Sequence, residues 1–206
     1  MNRKFVSKSN YVLRKVLNKE DSLDILEDFI ESILKIKIKE ITLNPYLKSK
    51  EKYLPKEENF GIADVRLKTL ENEELNVGIQ IIDGYYVENK MLLYYAQIHA
   101  NQLEHKNVKN MVNTITINIL DFQYFSGNKY HKVIKMVDSI DSDEKMELHT
   151  LELSRFRISE NLKITKEEKW IRYLGKGDVD LQDYDSEKIR KLDNLLNHYW
   201  KNEKME

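Results

Sequence analysis

Residues 60–82, FGIADVRLKTLENEELNVGIQII, constrain the fold more than any other stretch of this chain. Two strand-like runs, 61–70 and 75–82, flank the polar turn ENEE, a pattern that predicts an antiparallel hairpin. Side chains alternate across a strand, so Leu75, Val77, Ile79 and Ile81 line one face and Asn76, Gly78, Gln80 and Ile82 line the other. The first set is uniformly apolar and belongs to a core. The second needs a polar or helix-covered face. On the preceding run Ile62, Asp64 and Arg66 share a face, with Ala63, Val65 and Leu67 opposite. In-register pairing brings Asp64 near Gly78 and Gln80. An aspartate in mid-strand is unfavourable, and burying it unpaired costs several kcal/mol, so a cation, a basic side chain or water must compensate it.

The flanking segments extend this hairpin into a mixed α/β architecture. Residues 22–35 place Leu23, Leu26, Ile30 and Ile33 at three- and four-residue steps, which predicts an amphipathic helix with Asp21 or Ser22 as its cap. Residues 36–43 alternate apolar and charged side chains and read as a half-buried strand ended by Pro45. A long aromatic-rich helix is expected over 85–105, then strands over 112–120, 131–137 and 146–153, then helices over 165–174 and 186–202. Helix, strands, long helix, strands and helices make an α/β sandwich, a mixed sheet flanked by helices.

Composition narrows the function classes. The 206 residues are 41% hydrophobic and 33% charged, and two prolines with six glycines leave no room for a flexible linker. No cysteine is present, which excludes disulfides and thiolate metal sites. No apolar run approaches the roughly 20 residues that span a bilayer. The N-terminus lacks the apolar core of a signal peptide, so no membrane association and a cytoplasmic location are expected. The net charge of −1 argues against a general nucleic-acid coat. Its distribution is uneven: residues 1–56 carry 13 Lys/Arg against 8 Asp/Glu, while 138–147 is acidic. A basic N-terminal third suits phosphate contact, and a solvated mixed face suits the same numbers. His99, His105, His131, His149 and His198 show no zinc-ligand spacing. Walker, dinucleotide and GxSxG motifs are absent from the sequence.

An aspartate in one strand, followed about fourteen residues later by an acid-x-lysine or acid-x-glutamine tripeptide in the next, is the pattern that these strands approach. Over most of its length the chain resembles the recombination-promoting nuclease and transposase branch of the PD-(D/E)XK nuclease superfamily. SNYVLRKVL (9–17) is similar to that family's opening segment, which precedes its first helix. IADVRLK (62–68) and NVGIQII (76–82) resemble its two active-site strands. YYAQIHANQL (94–103), ITINILDF (115–122) and ELHTLELSRF (147–156) resemble its tyrosine-rich helix and two later strands.

The resemblance implies a restriction-endonuclease-like core over 1–160, a central mixed sheet flanked by helices, with a C-terminal helical extension at 161–206 packed on the same domain. It implies metal-dependent hydrolysis of DNA by Mg²⁺ or Mn²⁺. Such an ion takes oxygen ligands, lowers the pKa of a bound water and stabilises charge on the scissile phosphate. Asp64 then becomes the first ligand, the Ile79 carbonyl a further one, and Gln80 the group that orients the water. The chain departs from the pattern where Gly78 stands in place of the family's glutamate, Asn10 in place of an opening aspartate, and Arg14 in place of lysine. Glu74, Asp83 or Glu88 could restore the missing carboxylate, Glu88 being preferred. Arg14, Lys15 and Lys90 are the expected phosphate contacts. Three readings stay open: a nuclease with catalysis weakened or lost, an inactive DNA-binding or protein-interaction relative, and a module that self-associates as a homo-oligomer through 138–147 or the terminal helix.

Overall fold

The computed structural model describes residues 4–44, 61–104, 107–137, 144–156, 164–176 and 186–203. Pro45, His105 and the acidic residues 138–143 lie outside them. The hairpin forms as β2 (Gly61–Thr69) and β3 (Glu74–Ile82), with Asp64 opposite Gly78 and Arg66 opposite Asn76. β1 (Ile38–Leu43) pairs antiparallel with β2 on the other side. β4 (Asn113–Leu120) pairs parallel with β3, and β6 (Glu144–Glu152) parallel with β4. β5 (His131–Val137) returns antiparallel along β6, giving the order β1-β2-β3-β4-β6-β5. The sheet is mixed, as expected.

Helices α1 (Lys4–Leu17), α2 (Leu23–Leu34), α4 (Lys166–Lys176) and α5 (Glu187–Glu203) bury the apolar face of the sheet. Val12, Leu13, Val16 and Leu17 of α1 and Ile25, Leu26, Phe29, Ile30 and Ile33 of α2 meet Val65, Val77, Ile79 and Ile117. Trp170, Tyr173, Ile189, Leu192 and Leu196 close the same core, so α4 and α5 pack on it. One expectation is corrected here. Residues 9–17 do not precede the first helix; they lie inside it, because Val12, Leu13, Val16 and Leu17 form a stripe that the sheet covers.

The opposite face is covered by α3 (Val87–Ala100), and most of what it covers is polar. Only near the strand ends does a small apolar cluster form, where Val87 and Met91 meet Ile82, Leu120 and Leu148. Elsewhere Asp64, Asn76, Gln80, Thr114, Thr116, Asn118 and Thr150 are all buried. Such groups must be hydrogen-bonded to be tolerated. Asn76 Nδ2 donates to the Ile98 carbonyl (3.1 Å), Gln80 Nε2 to Asn118 Oδ1 (2.6 Å), and Asn118 Nδ2 to the His149 carbonyl (2.9 Å). His99 Nδ1 lies 2.9 Å from Thr114 Oγ1, and Gln102 Nε2 donates to the same hydroxyl (3.0 Å).

Candidate functional site

Strand alternation puts Asp64, Gly78 and Gln80 on one face of the sheet, beneath α3. Asp64 is 0% exposed. Its Oδ2 accepts from Asn44 Nδ2 (3.3 Å), and the same amide reaches Asn76 Oδ1 (3.4 Å). Arg66, a sequence candidate for neutralising Asp64, pairs instead with Glu74 across the hairpin. Gln80 is equally buried, and its Oε1 has no hydrogen-bond partner among the described residues.

Tyr94 decides how these groups are used. The β2–β3 register slips between Gly61 and Ala63, and there the buried Tyr94 hydroxyl lies 3.1 Å from the Ala63 carbonyl and 3.2 Å from that of Ile79, sharing its one proton between them. Its ring lies over two glycines. A Cβ added at Gly78 would lie 2.8 Å from the hydroxyl and 2.6 Å from Ile98 Cδ1; one at Gly61 would lie 2.7 Å from the hydroxyl. Burial, and then the negative charge of Asp64, push the Tyr94 pKa well above the usual phenol range, so it acts as a neutral donor.

The face that Asp64, Gly78 and Gln80 share is therefore closed to solvent. The shared face is present, but α3 seals it, and the Ile79 carbonyl is engaged by Tyr94. Glu88 is not brought to Asp64: it is exposed in the first turn of α3, where the Tyr124 hydroxyl donates to it and holds its pKa below the usual carboxylate value. Glu74 is held by Arg66, and Asp83 accepts from Lys90 Nζ (3.3 Å). Among the described residues no group of three His, Asp or Glu side chains could hold a metal ion. Tested against a Mg²⁺ site, the set does not fit: it offers one sealed carboxylate and a carbonyl already in use, where a hard cation wants several open oxygens.

The expected phosphate contacts fall in two places. Arg14 and Lys15 end α1; Lys15 is exposed, with Nζ 5.4 Å from the Tyr11 ring centroid, and Arg14 is half-buried. Asn18 caps that end, donating to the Arg14 carbonyl (2.8 Å) and to the Ile62 carbonyl (2.6 Å), which ties α1 to β2 at the register slip. Lys90 is committed to the 83–86 turn through the Asp83 carbonyl (2.8 Å). Sequence reasoning missed the polar layer formed by Asn76, Thr114, Thr116 and Asn118. Its signal was present in Thr114, Thr116 and Asn118, which alternate with isoleucines along β4.

A six-stranded mixed sheet with helices on both faces, an aspartate in the second strand and Gln80 in the third define a restriction-endonuclease-like α/β fold. The model of the PD-(D/E)XK nuclease family transposases matches residues 7–205, and the chain belongs to that family. Comparisons with curated proteins and with solved structures return no significant match. No helix among the described residues is long and apolar enough to cross a membrane.

Proposed function

We propose that this chain is a DNA-binding member of its family in which metal-dependent phosphodiester hydrolysis is lost or greatly weakened. The observation that carries the reading is the engagement of the Ile79 carbonyl by Tyr94, whose ring fills the space over Gly78. A glutamate there would have to displace a buried, doubly bonded phenol. The nucleic-acid half of the reading is supported by family membership and by Arg14 and Lys15, which α1 carries to the rim of the sheet beside β2. Lysine and arginine on phosphates release counterions, so binding of this kind weakens steeply with salt.

The test uses purified protein with supercoiled plasmid in Mg²⁺ or Mn²⁺, alongside DNA retention across a salt series. The expected outcome is retention without nicking. Arg14→Ala with Lys15→Ala lowers the slope of log affinity against log salt by about 0.9 for each phosphate that is no longer neutralised. Plasmid cutting that Asp64→Ala abolishes would overturn the inactive reading. An absence of retention at low salt would overturn the DNA-binding one.

A further inference from the structure

Parallel strands β3, β4 and β6 end in line: Ile82 is opposite Leu120, and Leu120 opposite Glu152. Loops leaving this carboxyl-terminal edge are where open α/β sheets place their ligands. Here the edge is aromatic. Tyr85 is 84% exposed, Tyr86 76% and Tyr124 41%. Neither Tyr85 nor Tyr86 makes a side-chain hydrogen bond or ring contact among the described residues. Tyr86 immediately precedes α3 and sits in the left-handed region, φ 62°, two residues after Gly84 at φ 67°. A bulky side chain there is strained by the order of 1–3 kcal/mol, a strain typical of functional turns.

The facing loop is held by hydrogen bonds to the sheet's end. Buried Glu152 accepts from the backbone amides of Tyr124 (2.9 Å) and Phe125 (2.6 Å), while Arg155 bridges Glu152 and the Phe125 carbonyl. Tyr124 packs edge-on against Phe122 and Phe125, and its hydroxyl reaches Glu88, two residues past Tyr86, which joins both loops in one surface. Lys129 is exposed in the same loop, and Lys132 Nζ lies 5.0 Å from the Phe125 ring centroid.

We infer that these three tyrosines form a stacking platform for unpaired bases of a single-stranded nucleic acid, an inference that rests on the DNA-binding reading above. Charge decides between strand forms. Lys90 offsets Asp83, while Glu88 keeps its charge under the Tyr124 hydrogen bond, so Lys129 and Lys132 stand against Glu88 and the exposed Asp121. A patch with no positive surplus attracts a duplex weakly, whereas base–aromatic stacking is sequence-tolerant and needs little charge. Asn89 and Gln123 are exposed beside the tyrosines, and the exposed Leu92 and Leu93 lie a turn further along α3.

The test measures binding of the full chain to a labelled oligothymidylate and to a duplex of equal length. Tyr85→Ala with Tyr86→Ala is expected to weaken single-strand binding by about tenfold or more and to leave duplex binding unchanged. Tyr85→Phe with Tyr86→Phe, which keeps the rings, retains the single-strand affinity. Unchanged single-strand binding by the alanine variant overturns the platform while leaving the DNA-binding reading intact. Equal loss on both substrates overturns it in favour of phosphate contact alone. Loss of a sedimenting dimer with unchanged DNA binding overturns it by assigning the tyrosines to an interface between copies. Failure of the parent to bind either substrate overturns the proposed function itself.

Discussion

A Cβ at position 78 would lie 2.8 Å from the Tyr94 hydroxyl, closer than a Cβ comes to a non-bonded oxygen, and that hydroxyl is held by two carbonyls. Glycine and tyrosine are therefore one packing unit, and restoring the family's glutamate alone does not restore its site. Gly78→Glu is expected to destabilise by at least about 1–3 kcal/mol through overpacking, with a buried carboxylate beside Asp64 adding to it. Tyr94→Ala alone removes a buried aromatic and costs about 3–5 kcal/mol. The two changes together are expected to cost less than their sum by about 0.5–3 kcal/mol, because each relieves the other. Urea titration of the four proteins measures this coupling. Strict additivity would show that Tyr94 does not occupy the glutamate's space.

At the scale of elements, a chain of side chains joins the sheet's far edge to α4. Glu167 Oε1 lies 2.7 Å from His131 Nδ1, His131 Nε2 lies 2.8 Å from His149 Nδ1, and His149 Nε2 lies 2.6 Å from Glu147 Oε1. The hydrogen bond from His149 holds the Glu147 pKa at about 2; burial opposes the shift and Lys135 reinforces it. A depressed carboxylate stabilises the fold fully above its ordinary value of 4.5 and progressively less as the pH falls toward about 2. Glu147→Gln is therefore expected to flatten the loss of stability over that acid range, measured by circular dichroism in urea. Equal slopes for parent and variant would remove Glu147 from the account. None of these contacts is legible in the residues alone: His131 and His149 meet only because β5 and β6 are neighbours, and β6 inserts between β4 and β5 by a non-local pairing. What the residues do disclose is local. Alternation along Leu75–Ile82 sets the β2–β3 register and puts Asp64 over Gly78, but period-two patterning says which face a side chain takes and nothing about what covers it. The depth of Asp64 and the closing role of Tyr94 require α3 to be docked. The α1 stripe is harder to see because charged residues interrupt it.

Across the whole molecule, the helices that follow the sheet are structural partners of those that precede it. Trp170 is buried, stacks edge-on with Phe29 at 5.4 Å between centroids, and donates from Nε1 to Asp28 Oδ2 (2.9 Å). Lys188 and Lys191 both reach Asp24 on α2 (2.8 and 2.7 Å), and the buried Ile189, Leu192 and Leu196 lie between these polar rims. Exposed ion pairs of this kind contribute little, so the apolar contacts carry the attachment. Removing residues 161–206 would uncover Leu13, Ile25 and Phe29, which lie against Trp170, Leu174 and Leu192, and so create a contiguous exposed apolar patch of the kind that promotes aggregation. The truncated chain is expected to lose cooperative thermal unfolding and to aggregate, and Trp170→Ala in the full chain to cost about 3–5 kcal/mol in urea. A soluble 1–160 fragment with a sharp melting transition would show instead that the terminal helices are an appendage. It would also separate the fold that carries the sealed Asp64 site from the helices that brace α1 beside it.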